Sequence, residues 1–583
     1  MASSRSLEST QLDPRQDGPK EEILAPSICS NHSATAEKQE VVEACSSSPH
    51  HNKIDSSSTQ KAGLSVIDIE RQEPAKQAAI GKKAAILLFI GLAMATFLAS
   101  LDGTIIATAL PKIASDFSAQ KEMSWVATAY LLTFNAFQPL YGKFSDIFGR
   151  KAMILFAAVT FMVGSAGAGG AQTMTMLILF RAIQGLGGSG LLSIVLIIIS
   201  DIFPLEERPK YQSVIWSVFG VSSVVGPLLG GVFVEQATWR WCFLINLPLG
   251  VVTLASVIAF LHLPFERPEL KEQLARIDYA GTFFIIVAVI CLLLPITWGG
   301  TTYAWNSAHV IALFCVAFVL IAVLMWVEYK AVEPIIPPRL FENKTVAVIF
   351  AVNFLTGMSF LGVIFYSPIY FQIVKGVSAT ASGLHLLPMV LGLVFSSIAS
   401  GALMAKVGDY RYFVWLGTVM MSVGCGLCIL FDAESGMGPQ IGYLLIVGMG
   451  IGLILQTCML AAQAAVDKED MAIVTALCGF MNSIGGGIGI AMCTALFNNH
   501  ISALFLKFPP EMLYVIGEFH IEEKITNVQL LPAEVKVLVV GAYVDTFQYI
   551  FQRITPIACA AFVISLFIRK LRMLDPSEII MAA

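Results

Sequence analysis

The chain has 583 residues, of which 56% are hydrophobic and only 13% carry a charge, and its formal net charge at pH 7 is −5. Soluble globular proteins carry about 25% charged residues, so this composition indicates a protein whose main solvent is lipid. The small net charge, with no basic block among aromatic residues, argues against a nucleic-acid partner.

The first 80 residues form a polar segment rich in Ser, Gln, Glu and Lys, with SSSPHHNKIDSSST at 46–59 as its clearest stretch. Such a segment buries too little apolar surface to offset the entropy lost on ordering. Residues 1–80 are therefore predicted to be a disordered cytoplasmic tail. No cleavable signal peptide is expected, so the first hydrophobic segment should direct membrane insertion.

Fourteen membrane-spanning helices are predicted, because a helix that crosses the hydrocarbon core needs about 20 apolar residues. The predicted spans are 84–106, 124–142, 152–171, 174–201, 211–234, 241–262, 277–297, 308–327, 346–372, 380–404, 413–431, 440–463, 472–497 and 549–568. Lys and Arg are more frequent in alternate loops, which places both termini in the cytoplasm. The segment 498–548 is then the longest extracellular loop.

A duplicated unit is indicated by two related loops. GKFSDIFGRK at 142–151 has a weaker echo in GALMAKVGDYR at 401–411, and both follow the second span of a six-helix set. Internal duplication is how many carriers build a midplane site that opens to alternate sides. The predicted all-α polytopic fold comprises an N-terminal bundle (81–262), two inserted helices with loops (263–345), a C-terminal bundle (346–568) and a cytoplasmic tail (569–583).

Several motifs lie between residues 100 and 250. They are LDGTIIATALPKI (101–113), GKFSDIFGRK (142–151), RAIQGLGGSG (181–190), GPLLGG (226–231) and WRWCFLINLPLG (239–250). Together they resemble the fourteen-spanner drug:proton antiporter branch of the major facilitator superfamily, and the last run is typical of fungal members. The resemblance implies a fungal multidrug or toxin efflux pump.

Asp102 lies within or near the outer half of the first predicted span. An ionised carboxylate at the bilayer centre costs about 2.5–3.5 kcal/mol on insertion scales, so such a residue normally faces a wet cavity and is functional. Burial favours its neutral form, which would let Asp102 bind and release a proton as the cavity changes sides. The alternative is a helix-end carboxylate in the outer headgroup region.

Arg181 is the clearest cation inside a predicted span. Its guanidinium stays charged at any relevant pH and needs a partner or a wet cavity. The family resemblance implies a place near the proton-titrating acid. The alternatives are a structural ion pair and an interfacial anchor.

The loop at 142–151 contains small and charged residues suited to a tight cytoplasmic turn. The resemblance implies a cytoplasmic latch that helps to hold the outward-open state, and simple positive-inside anchoring is compatible with it. The latch residues are Gly142, Lys143, Asp146, Gly149, Arg150 and Lys151.

The fifth predicted span contains small residues four apart and an internal proline. Such residues let helices pack backbone to backbone, and the proline frees a carbonyl and bends the helix. The resemblance associates this motif with export, and ordinary tight packing is the alternative. The antiporter-motif residues are Gly226, Pro227, Gly230 and Gly231.

Uncharged amides in the spans are candidates for a substrate cavity, because an amide facing lipid is costly. They could contact substrate or bond to neighbouring helices. The candidates are Asn135, Gln138, Gln184, Asn353, Gln456 and Asn482.

The function expected from these features is proton-coupled export of small hydrophobic or amphipathic molecules by alternating access. Protons, the substrate and membrane lipid are the expected partners of a monomer, with no metal or cofactor. No GxxxxGK[ST] motif indicates ATP-driven transport, and dispersed histidines argue against an enzyme. A siderophore or basic amino-acid carrier and a non-transporting sensor remain open. The plasma membrane is the expected location, with the vacuolar membrane as the alternative.

Overall fold

A computed structural model describes residues 82–119, 122–205, 207–263, 269–300, 302–518 and 525–570. The predicted tail at 1–80 lies outside these residues, as does all of the C-terminal tail after residue 570. The described part of the chain is built of helices and contains no β-strand. This confirms the predicted all-α class.

Fourteen long helices lie in the described part of the chain. They are α1 (Lys82–Asp116), α2 (Met123–Phe148), α3 (Arg150–Gly169), α4 (Met174–Ile202), α5 (Arg208–Gln236), α6 (Asn246–Phe260), α7 (Tyr279–Trp298), α8 (Ala308–Lys330), α9 (Lys344–Val374), α10 (Leu387–Val407), α11 (Arg411–Cys428), α12 (Met437–Ala464), α13 (Met471–Phe505) and α14 (Ala533–Ser565). Short helices at Trp241–Leu244, Leu270–Ala275, Arg339–Glu342, Ala379–Leu384 and Pro510–Glu518 lie between them.

Thirteen helices in the described residues are long and apolar enough to cross a membrane, and α2 is the long helix that falls short. The reason is its polar content, which includes Asn135, Gln138 and Lys143. Both amide side chains are buried inside the protein, so they do not meet lipid.

Local sequence explains where several helices begin. Thr173 accepts a hydrogen bond from Met176 N before α4, and Ser307 accepts one from Val310 N before α8. Asp278 caps α7 in the same way, through Gly281 N. These side chains satisfy backbone donors that the first helical turn leaves free.

Helix pairing repeats along the chain. In the first bundle α2 and α3 pack on α4, α1 packs on α4, α5 and α6, and α3 packs on α6. Each of these pairs recurs eight helices later. In the second bundle α10 and α11 pack on α12, α9 packs on α12, α13 and α14, and α11 packs on α14. The two bundles meet through α5 with α10 and α2 with α13, which are equivalent pairs under the same offset.

The inserted helices α7 and α8 pack on each other, and α7 also contacts α2 and α13 at the seam between the bundles. Most of α8 is exposed, as expected of a helix that faces lipid.

The connection between the last two long helices is shorter than the loop predicted at 498–548. Helix α13 continues to Phe505 and α14 already begins at Ala533. Windows of apolar residues detect only the part of a helix that suits lipid, so amphipathic extensions escape them.

Candidate functional site

Asp102 and Arg181 form an ion pair inside the first bundle. Arg181 Nη1 lies 2.6 Å from Asp102 Oδ2. The Arg181 side chain is 1% exposed and the Asp102 side chain is 0% exposed. Asp102 lies well inside the 35-residue helix α1, which does not suit a carboxylate at a helix end. Taking two charges out of water is expensive, so a buried pair of this kind depends on further hydrogen bonds.

Those hydrogen bonds come from two amides. Gln184 Nε2 donates to Asp102 Oδ1 at 2.6 Å, and Asn246 Nδ2 donates to the same oxygen at 3.1 Å. Both amides also donate to Ser165 Oγ, at 2.7 and 3.3 Å. The cluster joins α1, α3, α4 and the start of α6, and its donors match the needs of an ionised carboxylate.

The Arg181 guanidinium is held on its other sides as well. Its Nε donates to Val126 O at 3.0 Å, and Nη1 donates to Gln184 Oε1 at 2.8 Å. Its Cζ lies 4.3 Å from the centroid of the Tyr130 ring, within the range of a cation–π contact. Arg181 therefore keeps several contacts that do not depend on the charge of Asp102.

The antiporter motif packs α5 directly against the helix that carries Asp102. A Cβ atom at Gly226 would lie 2.0 Å from Thr104 Oγ1, and one at Gly230 would lie 2.4 Å from Ile105 O. Only hydrogen fits between the two backbones at these positions. Pro227 lies between the two glycines inside α5, and Gly231 is partly exposed.

The latch residues make contacts of two kinds. Arg150 is hydrogen-bonded to Asp146 and to Asp201, the latter at 2.7 Å, which ties the end of α2 and the start of α3 to the end of α4. Gly149 adopts a φ of +88° at the turn, a region that favours glycine. Lys151 Nζ donates to Ile258 O and Leu261 O at the end of α6.

The other latch contacts leave the first bundle. A Cβ atom at Gly142 would lie 3.1 Å from Ala472 O of α13, so the two bundles touch there. Lys143 Nζ lies 3.0 Å from Glu333 Oε2, in the connection that follows α8. Arg276 also binds Glu333, and although burial raises the pKa of Glu333, hydrogen bonds from Arg276 and Lys143 hold it below its ordinary value.

A cavity of about 90 Å³ lies between the bundles, and helices of both bundles line it. Its polar lining residues are Thr96, Gln138, Ser193, Trp216, Asn353, Thr475, Asn482 and Ser483, and the others are apolar or small. None of the described residues that line it carries a charge. Drug-sized ligands occupy sites of about 300–1,000 Å³, so the helices must separate before such a molecule enters.

Three polar atoms on this cavity have no hydrogen-bond partner among the described residues. They are Gln138 Oε1, Ser193 Oγ and Trp216 Nε1. A buried polar atom without a partner costs about 1–3 kcal/mol, so these atoms suit a ligand or water that supplies the missing bond.

Three of the six predicted cavity amides lie on this cavity, namely Gln138, Asn353 and Asn482. The other three lie elsewhere. Gln184 belongs to the Asp102 cluster, and Gln456 donates to Pro209 O at 2.5 Å and accepts from Ser400. Asn135 donates to Leu131 O within its own helix.

The amino-acid sequence is similar to those of known membrane transporters. Residues 92–490 match the sequence profile of the Major Facilitator Superfamily. The chain belongs to this superfamily. It is therefore a multi-pass membrane protein of a transporter family, as its helices also indicate.

Curated fungal relatives of this major facilitator protein are named as efflux pumps and transporters. The MFS-type efflux pump MFS1 of Arthroderma benhamiae is 41% identical over 72% of this chain and 79% of its own length. Efflux pump dotC of Dothistroma septosporum is 36% identical over 86% and 87%. The MFS-type transporter phomT of Diaporthe leptostromiformis is 34% identical over 86% of both chains.

A solved structure agrees on the fold. The human organic anion transporter MFSD10 (TETRAN) superposes with a TM-score of 0.57, covering 82% of this chain and 99% of its own, at 12% identity. At that identity the likeness concerns the fold alone.

Sequence reasoning about this major facilitator protein missed two members of the Asp102 cluster. Asn246 is the single amide in the otherwise apolar stretch CFLINLPLG, and that isolation was a usable signal. Ser165 lies among small residues in GSAGAGG, where nothing distinguishes it from a packing residue. Glu333 lies in a connection and gave no sign that it contacts the latch.

Proposed function

We propose that this protein exports small, uncharged, amphipathic organic molecules in exchange for protons, as a monomer in the plasma membrane. The observation that carries the proposal is the buried ion pair between Asp102 of α1 and Arg181 of α4. Relatives of the chain that are named efflux pumps support the direction of transport. The vacuolar membrane is the other location compatible with the chain.

Asp102 is the proposed proton carrier. In the described conformation it is paired with Arg181 and accepts bonds from two amides. A proton on Asp102 removes the charge attraction, while Arg181 stays charged and keeps its bonds to Val126 O and Gln184 Oε1. Protonation therefore loosens α1 from α4, and the guanidinium keeps only uncharged partners.

Movement of α1 reaches the cavity directly at Thr96 and also through α5. Gly226 and Gly230 hold α5 against α1, and α5 both contacts α10 of the second bundle and carries Trp216 on the cavity. A change at Asp102 thus acts on a helix that belongs to the interface between the bundles. Alternating access requires the two bundles to move relative to each other, and α5 lies where that movement takes place.

An uncharged substrate fits the cavity lining. A basic amino acid needs an acidic partner where water is excluded, and no described lining residue supplies one. The same argument disfavours a charged siderophore complex. Aromatic and apolar walls with a few free donors and acceptors suit a neutral molecule with carbonyl or hydroxyl groups.

Transport in proteoliposomes tests the proposal. Liposomes that are acidic inside should accumulate an uncharged aromatic fluorophore, because outward proton flow drives inward substrate flow. With one proton exchanged per substrate, one pH unit supports about tenfold accumulation. Accumulation that survives a proton ionophore, or that equals the signal of protein-free liposomes, would contradict it. A non-transporting sensor would show no accumulation in any condition.

Trp216→Phe should raise the apparent KM for carbonyl-containing substrates roughly 2- to 10-fold, because it removes one free indole N–H and keeps the aromatic face. The maximal rate should change little. Trp326→Phe is the matched control, since Trp326 is 59% exposed on α8 and away from the cavity. Equal KM values for the two variants across a substrate panel would remove Trp216 from the substrate site.

A further inference from the structure

A second buried acid lies outside the Asp102 cluster, on the inserted helix pair. Glu328, near the end of α8, is 1% exposed. Its Oε2 accepts a hydrogen bond from Ile336 N at 3.0 Å, but its Oε1 has no hydrogen-bond partner among the described residues. Glu328 is also in none of the ion pairs formed among the described residues. A carboxylate buried in this way is costly unless it is neutralised.

A second acid, Asp278, lies beside it and caps α7. Asp278 Oδ1 accepts from Gly281 N at 2.8 Å, while Oδ2 is buried and lacks a partner in the described structure. A Cβ atom at Gly281 would lie 2.4 Å from Asp278 Oδ2 and 2.7 Å from Glu328 Oε1. The unpartnered oxygens of Asp278 and Glu328 therefore both lie next to Gly281, at the start of α7.

We propose that Glu328 and Asp278 hold one proton between them, as a second proton-binding site separate from Asp102. The proton is carried on Glu328 Oε1 and donated to Asp278 Oδ2. Asp278 occupies the N-terminus of α7, where negative charge is stabilised. This arrangement satisfies both free oxygens and leaves one buried charge where two would repel.

The charged groups around Glu328 and Asp278 form ion pairs with other residues. Lys143 of α2 is paired with Glu333 at 3.0 Å, and Arg276 binds the same carboxylate at 2.8 Å. Asp146, at the end of α2, is paired with Arg150. None of them supplies a hydrogen bond to the free oxygens, so a proton is the available means of neutralising them.

The site is connected to the latch. Glu328 Oε2 holds the backbone of Ile336, in the same connection that carries Glu333 to Lys143. Lys143, Arg276 and Glu333 line a cavity of about 440 Å³ at this end of the bundle. Release of the proton puts two like charges between α7 and α8 and disturbs the connection that binds the latch.

Infrared difference spectroscopy of the full-length protein in liposomes tests this, with pH stepped by buffer exchange. The wild type should show a protonated-carboxyl C=O band that disappears on alkaline titration. The band should be absent in Glu328→Gln and should persist in Asp102→Asn. Glu272→Gln, an exposed acid in the short helix before α7, is the control that should leave it unchanged.

A second variant keeps the test sharp if Glu328→Gln does not fold. Asp278→Asn should shift the midpoint of the band to lower pH by roughly one unit or more, because the neighbouring negative charge that favours the proton is gone. An identical band in Glu328→Gln, or an unshifted midpoint in Asp278→Asn, would overturn the proposal. These spectra need no substrate, so a failure of transport and a failure of this site are distinguishable.

Discussion

Asp102→Asn is expected to abolish proton-driven accumulation of substrate while permitting, at most, downhill movement. Asparagine keeps the size of the side chain but cannot carry the exchanged proton. In liposomes that are acidic inside, the accumulation ratio should fall from about 10 per pH unit to about 1, for one proton per substrate. Uphill accumulation by the variant would show that Asp102 is not the coupling residue.

Asp116→Asn is the matched control, because it makes the same chemical change on the same helix. Asp116 lies at the end of α1, where Lys112 Nζ is 2.9 Å from its carboxylate. The hydrogen bond from Lys112 holds the pKa of Asp116 below its ordinary value, so it stays ionised and has no proton to exchange near neutral pH. Its variant should accumulate substrate as the wild type does.

Stability separates the role of charge from that of folding. Removing one partner of a buried ion pair costs about 3–5 kcal/mol, because the other charge is left uncompensated. Asp102→Asn should therefore lower the thermal unfolding temperature, and adding Arg181→Gln should recover part of that loss. Both the single and the double variant should remain uncoupled. Strictly additive destabilisation would indicate that the pair interacts weakly.

Gly230→Ala is the second large effect that we expect. The new Cβ would lie 2.4 Å from Ile105 O, a backbone atom that cannot move without displacing α1. Overpacking of this kind typically costs about 1–3 kcal/mol. Because α1 carries Asp102, proton-driven accumulation should be lost together with part of the thermal stability.

Gly103→Ala tests whether any added methyl group on this side of the bundle has the same effect. Gly103 lies beside Asp102 in α1, and a Cβ there meets no atom within 4 Å. Its accumulation ratio and unfolding temperature should stay close to those of the wild type. If Gly230→Ala behaves like Gly103→Ala, close packing of α5 on α1 is not required for transport.

Hydropathy and charge placement were enough to predict the all-α membrane class and the positions of the long helices. The reason is physical: in lipid the backbone must satisfy its own hydrogen bonds, so a long apolar stretch has few alternatives to a helix. The same reasoning singled out Asp102 and Arg181, because a charged residue in an apolar segment is costly and is usually retained for a function.

What the sequence could not supply was the set of contacts around each polar residue. The amides Gln184 and Gln138 looked alike along the chain, yet one binds Asp102 and the other lines the central cavity. Glu328 escaped notice because it comes directly after the predicted span at 308–327 and resembled a loop residue. Its burial depends on helix α7 and on the connection that folds back over α8.

The sequence by itself therefore determined that the chain crosses the membrane repeatedly and that Asp102 and Arg181 had to be hidden from lipid. Only the tertiary structure decided which side chains meet those charges, because the partners come from helices far apart in the chain. Asp102, Ser165 and Asn246 lie on three helices, and it is the packing of α1, α3, α4 and α6 that brings them to one point.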